Sequence, residues 1–175
     1  MAKAVFCTAT NINQATQIVD RLKVAGFTSH DISVLMPDKA GTKSFAVENQ
    51  TKAPEGATTG AGTGAVLGGG LGWLAGIGAL AIPGVGPLIA AGPIMAALAG
   101  AAVVGAVGGL TGALIGMGIP EYEAKRYEGK VKEGHVLISV HSEDSNQTDR
   151  AKTVFSSAGA ENIATTGEPA VSAKH

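Results

Sequence analysis

Residues 56–120 contain no Asp, Glu, Lys, Arg or His. No side chain in that stretch can act as a general acid or base, hold a metal ion or pair with a phosphate. Other things are scarce as well. There is one cysteine, Cys7, so no internal disulfide can form, and its place in an apolar run marks it as a small core residue. Aromatic residues make up 4% of the 175 residues, and within the uncharged stretch only Trp73 could anchor at a membrane interface. The net charge is -1, which leaves no electrostatic case for nucleic acid as a partner. No basic n-region followed by an apolar core and cleavage site opens the chain, and the cytoplasmic side is expected.

What fills the uncharged stretch is glycine, alanine and aliphatic residues, with 20 of the 26 glycines inside it. Gly60, Gly64, Gly68, Gly72 and Gly76 recur every fourth position. Ala97, Ala101, Gly105, Gly109 and Ala113 repeat the spacing, and Gly108, Gly112 and Gly116 form a row beside them. On a helix this spacing lines one face with hydrogen in place of side chains, so another backbone can approach closely, as apolar helices do in lipid. Between the rows stand Pro83, Gly84, Gly86 and Pro87, a set that forces a turn. The pattern predicts two glycine-faced helices joined there, a helical hairpin over 56–119. Such glycine content weakens a helix by up to about 1 kcal/mol per residue and would also suit a flexible linker, but a linker need not keep register. Segments of about 22 and 26 residues are long enough to cross a bilayer, although weakly hydrophobic for it. Lipid and a protein assembly remain as the two settings.

The flanks read differently. Residues 4–9 have strand character; Asn11 with Gln14 three positions on approaches a capping box, and Ile12, Ala15, Val19 and Leu22 share a helical face that ends at Gly26. Residues 32–36 read as a second strand. Lys39, Lys43 and Lys52 precede the apolar block, in a polar segment where Phe45-Ala46-Val47 offers a short strand or patch. Lys125, Arg126, Lys130 and Lys132 follow the block. Positive charge on both sides fits a hairpin with both ends in the cytoplasm, and ordinary solvated loops fit equally. Pro120 opens a helix from Glu121 to about Glu128, whose Tyr122 and Tyr127 suit a membrane interface or domain packing. Residues 135–141 form the strongest strand. Asp144 with Gln147 starts a helix with Ala151, Val154, Phe155 and Ala158 on its apolar face, closed by Gly159 and followed by a weak strand at 162–165.

The two ends repeat each other: Asn13-Gln14 and Asn146-Gln147 each precede an Ala-Gly helix end at the same distance. Two β-α-β units of this kind predict an α+β fold, a ferredoxin-like four-stranded antiparallel sheet with helices on one face. The division is then residues 1–55 as the first half and linker, 56–119 as the insert, 120–168 as the second half, and 169–175 as a loose tail. Expected core residues are Val5, Ile18, Val19, Leu22, Ile32, Val34, Val136, Ile138, Val140, Val154 and Phe155, so that the ends should fold without the insert.

Catalytic signals are nearly absent. Gly70-x-Gly72-x-x-Ala75 approaches a dinucleotide fingerprint, but it follows no strand and has no acidic residue to meet a ribose. His30, His135, His141 and His175 lack metal-ligand spacing. No catalytic, cofactor-binding or metal-binding residue is assigned, and no cofactor or small-molecule substrate is expected.

The runs Thr51-Lys52-Ala53-Pro54-Glu55-Gly56-Ala57, Ile82-Pro83-Gly84-Val85-Gly86-Pro87, Ala91-Gly92-Pro93 and Gly118-Ile119-Pro120-Glu121-Tyr122-Glu123-Ala124, with the glycine ladder, resemble a family of small bacterial proteins. Its members are described as general stress or low-temperature-induced proteins, or as predicted membrane proteins. The resemblance implies a bacterial, stress-associated, non-catalytic protein with a glycine-zipper insert, and it carries over no site residue. The expectation is a homo-oligomer whose hairpin associates in or on the cytoplasmic membrane, with lipid as a further partner. The alternatives are a soluble tube or filament with an apolar interior, and a ligand-binding regulatory module.

Overall fold

A computed structural model of the chain describes residues 3–37, 78–82, 86–92 and 109–167. The ten elements in these residues are β1 (Lys3–Ala9), α1 (Ile12–Val24), β2 (Ile32–Pro37), β3 (Gly78–Ile82), β4 (Gly86–Ala91), α2 (Gly109–Gly116), α3 (Glu121–Glu133), β5 (Val136–Ser142), α4 (Ser145–Ser157) and β6 (Glu161–Gly167). The fold is α+β. Its strands form one sheet in the order β3-β4-β2-β5-β1-β6, with every neighbouring pair antiparallel.

The two helices of the repeated units start and stop by the same chemistry. Asn11 accepts a hydrogen bond from the Gln14 backbone N–H at 2.8 Å, and the Gln14 side chain accepts from the Thr10 N–H at 2.8 Å. Asp144 accepts from the Gln147 N–H at 2.7 Å, while the Gln147 side chain accepts from the Glu143 N–H at 3.0 Å. Each side chain thus satisfies amides that an isolated helix start leaves unpaired. Gly26 and Gly159 follow the two helices with φ of +96° and +71°, the left-handed conformation that a helix exit favours. The Gln14 amide also donates to the carbonyls of Ala158 and Gly159, tying the start of α1 to the end of α4.

Helices cover both faces of the sheet, not one. On the first face, α1 and α4 bury Ile18, Leu22, Ala151 and Phe155 against Val5, Cys7, Ile32, Val34, Ile138 and Val140. On the second, α2 and α3 bury Leu110, Leu114, Tyr127 and Val131 against Phe6, Leu35, Leu88 and Leu137. The reason is visible in the central strands. Residues of both parities in β1 and β5 are apolar, and a sheet buried on both sides needs a layer on each. The second layer comes partly from the uncharged stretch, which is therefore not separable from the domain at residue 119.

Element bounds extend some expectations. The helix expected to end near Glu128 runs to Glu133, because Val131 is buried and Lys132 pairs with Glu128; Gly134, at φ +104°, ends it. The weak last strand spans seven residues, Glu161–Gly167. The Phe45-Ala46-Val47 patch and the tail lie outside the described residues.

Candidate functional site

The expected helical hairpin is corrected where the structure describes it. The strands β3 and β4 stand on either side of residues 83–85, paired from Gly78 opposite Ala90 to Ile82 opposite Gly86, so that of the expected turn set Pro83, Gly84, Gly86 and Pro87 the last two lie in β4 itself. The chain does reverse there, but as a β-hairpin that adds to the sheet through β4 alongside β2. Extended backbone wins because β2 offers a ladder of amides and carbonyls that a further strand satisfies, and because Pro87 cannot sit inside a helix without breaking it. Gly92 ends β4 at φ +79°. A Cβ there would overlap the Ile32 carbonyl oxygen and press on Ser33, so the strand leaves β2 only because this residue has no side chain. Pro83 and Gly84 lie outside the described residues, as do Gly60, Gly64, Gly68, Gly72, Gly76, Ala97, Ala101, Gly105 and Gly108.

The sheet's two edges are unlike. At β6, Glu161 brings a charge, Asn162 adopts φ +52°, and the register with β1 shifts between Phe6 and Thr8. These irregularities blunt an edge against further pairing. β3, Gly-Ala-Leu-Ala-Ile, has an unbroken register with β4, no charge and no proline, and no further strand beside it among the described residues.

The last turns of the second glycine row form α2, as the spacing predicts, from Gly109 to Gly116. Ala113 is buried in the second core, and Gly112 is half-buried. Gly116 is exposed, and a Cβ there would meet nothing within 4 Å. The helix is held by Glu128 of α3, whose carboxylate accepts from the Thr111 backbone N–H at 2.8 Å and from the Thr111 hydroxyl, and pairs with Lys132 at 2.8 Å. Burial pushes the Glu128 carboxyl up, but the bonds from Lys132 and Thr111 outweigh it and hold the group below the ordinary value. Its contribution to stability is therefore complete above the usual carboxylate range and is lost as the pH falls through the lowered value. Glu128→Gln is expected to cost about 1 kcal/mol at neutral pH, as loss of a helix cap does, and to flatten the acid limb of a stability–pH curve. Urea titrations from neutral to acid pH check both.

The basic residues after the uncharged stretch are not a free positive flank. Lys125 pairs with Glu121 at 2.7 Å, Lys130 with Glu133 at 3.2 Å and Lys132 with Glu128. Arg126 donates to the Tyr122 hydroxyl at 2.8 Å. The two tyrosines divide: Tyr122 is 72% exposed, whereas Tyr127 packs against Phe6 with ring centroids 6.0 Å apart and donates to the Asn162 carbonyl. Burial pushes the Tyr127 hydroxyl and the Cys7 thiol above their ordinary ranges, so Cys7 has no thiolate character.

A second feature lies where the strands outrun α2 and α3. Ala4, Ser33, Met117, Ser139, His141, Asp31 and His30 line a cleft of about 300 Å³. Register brings them together: Ser33 stands opposite Ser139, and Ala4 opposite His141. The His141 backbone N–H donates to the Asp31 carbonyl at 2.8 Å, continuing the β2–β5 ladder. The Asp31 carboxylate accepts from the Thr28 N–H and hydroxyl. The sequence offers His30 and His141 only as metal ligands without the spacing for it, and it singles out none of the others for binding. The available signal was a serine within each of two otherwise apolar strands. Among the described residues, no group of three or more His, Cys, Asp or Glu side chains could hold a metal ion, and no helix is long and apolar enough to cross a membrane.

No family model, curated protein or solved structure matches the chain.

Proposed function

We propose that the chain is a non-catalytic, self-associating protein in which a ferredoxin-like core carries a glycine-rich insert that joins copies of itself. The strand order β2-β5-β1-β6, with α1 and α4 on one face, supports the ferredoxin-like reading of the core. The observation that carries self-association is β3, an uncharged, regular edge. Its outward amides and carbonyls would pair with β3 of a second copy, antiparallel about Leu80, making one sheet continuous through two subunits. The small-residue rows at 60–76 and 97–108 would add close helix packing between copies. A role in bacterial stress rests on the sequence resemblance.

The soluble assembly is the setting we favour. Five-residue β3 and six-residue β4 reach roughly 20 Å at most at about 3.3 Å per residue, short of a hydrocarbon core of about 30 Å. A location in or on the cytoplasmic membrane is the second reading, supported by the length and uncharged composition of residues 56–120.

Lysine at an edge strand is a common device against edge pairing. The double substitution Ala79→Lys, Ala81→Lys is expected to reduce the assembled mass, read by light scattering without detergent. Gly68→Leu with Gly72→Leu separates the contributions, since it alters only the small-residue rows. An assembly unchanged by both pairs would overturn the reading, and a wild-type chain that pellets with vesicles and resists carbonate would replace the soluble setting with the membrane.

A further inference from the structure

We infer that the β6 edge of the sheet is closed against a further strand by a clamp of Tyr127, Asn162 and Thr8, so that copies joined through β3 stop at two. The limit of two rests on the β3 pairing proposed above. Between Phe6 and Thr8 the register of β1 with β6 slips by one residue, which leaves Asn162 and Ile163 opposite Cys7. Asn162 has φ +52°, the left-handed conformation found at the first residue of one kind of bulge, and asparagine accepts it more readily than most residues with side chains. Three side-chain bonds hold it there. The Asn162 amide donates to the Thr8 hydroxyl at 2.9 Å, and the Thr8 hydroxyl donates to the Glu161 carbonyl at 3.2 Å. The Tyr127 hydroxyl donates to the Asn162 carbonyl at 2.9 Å.

The engagement of those carbonyls is what closes the edge. Consecutive carbonyls of a regular strand point to opposite sides, one toward the neighbouring strand and the next outward, where an added strand would donate to it. Here Glu161 and Asn162 both accept from side chains of their own subunit, so the acceptor that an added strand needs at this point is already in use. Tyr127 can hold its end because its ring is fixed: it is 1% exposed and packs on Phe6. Phenylalanine would fill the same place in the core, and only the hydroxyl reaches the edge strand. Pairing of β3 with β3 of a second copy is two-fold and uses up that edge in both. A regular β6 would pair in turn with β6 of a third copy, and the sheet would extend without end. With β6 clamped, both outer edges of the joined sheet are closed.

The test uses the full chain without detergent, with assembled mass read by sedimentation over a range of concentrations. The wild-type mass should level off at that of two chains. The clamp is tested apart from β3 in the Ala79→Lys, Ala81→Lys chain, whose β3 edge is blocked. Deleting Asn162 there removes the extra residue and should raise the mass about twofold at high concentration, through pairing of β6 with β6. Tyr127→Phe, which keeps the ring against Phe6, should give the same shift at a higher concentration; it decides the matter if circular dichroism shows the deletion unfolded. Tyr122→Phe, at the exposed tyrosine of the same helix, should change nothing. With β3 intact, deleting Asn162 should carry the mass past two chains, rising with concentration. Masses unchanged by Tyr127→Phe and by a folded deletion variant would overturn the clamp, and a wild-type mass that passes two chains without levelling would overturn the limit. A wild-type chain that stays single, while deletion of Asn162 still doubles the mass of the lysine chain, would support the clamp and remove the β3 pairing on which the limit rests.

Discussion

Replacing residues 56–119 with a short Gly/Ser connection is expected to unfold the remaining chain. The sequence alone suggests the opposite, since the flanking β-α-β units have their own apolar faces. In the structure the excised residues include Leu88, Leu110, Leu114 and Ile119, all at most 2% exposed, together with Ala90 and Ala113. They cover Phe6, Leu35 and Leu137 on the second face of the sheet. Burying a large aliphatic side chain is worth about 1.5–3 kcal/mol, so losing the four largest removes roughly 6–12 kcal/mol, comparable to the whole stability of a typical domain. Glu128 would also lose Thr111, leaving a partly buried carboxylate with Lys132 alone. Circular dichroism and urea unfolding read the outcome: no cooperative transition is expected, and dye binding should report an exposed apolar sheet face. A cooperatively folded, soluble product would show that α2 is not needed and that the first layer suffices.

Gly92→Ala is expected to have the largest effect of any single methyl addition. The new Cβ would be driven into the Ile32 carbonyl, and the positive φ adds its own penalty, of order 1 kcal/mol or more, for a residue with a side chain. Neither partner can yield cheaply, because both are backbone and Ile32 is itself paired with Val140 in β5. The relief available is to peel the β3–β4 hairpin from β2, which uncovers Leu35 and Met36. Hydrogen exchange should show faster exchange of β2 and β4 amides with little change in α1 and α4, and the assembled mass should fall because β3 is no longer held at the sheet edge. Gly116→Ala is the contrasting control. Its Cβ enters open space, and replacing helical glycine by alanine should stabilise the chain by up to about 1 kcal/mol. Wild-type exchange rates in Gly92→Ala would mean that β4 does not pair with β2 as described.

The repeated ends of the chain were legible because their signals are local. Asn11 and Gln14, Asp144 and Gln147, and the glycines after each helix define boundaries by hydrogen bonds within a few residues, and those bonds form as the pattern suggests. The short apolar strands around Cys7 and Ile138 were legible for the same reason. The place of α2 and α3 on a second face of the sheet was not read, although both parities of β1 and β5 are apolar, because α2 belongs to the insert and α3 follows it, outside both repeated units. Residues 78–91 misled for a different reason. A four-residue spacing in Gly and Ala carries weak period information, and a short apolar run beside a Pro-Gly turn serves a β-hairpin as well as a helical one. The decision is made by β2, whose free side needs a partner that no local pattern reveals. The cleft was hidden by distance: Ser33 and Ser139 are brought side by side only by strand pairing.

The most direct measurement of edge-to-edge association is cross-linking at β3. In an antiparallel pair centred on Leu80, the two residues at that position would have Cα atoms about 4.5–5.5 Å apart, within the reach of a disulfide. Single substitutions Ala79→Cys, Leu80→Cys and Ala81→Cys would be oxidised mildly in the full chain without detergent. Cys7 gives little background, since it is fully buried and its thiol is held protonated. The account predicts a covalent dimer that forms most rapidly from Leu80→Cys and disappears when Gly92→Ala is added. Monomers from all three substitutions, at a concentration where light scattering shows the wild-type chain assembled, would contradict it.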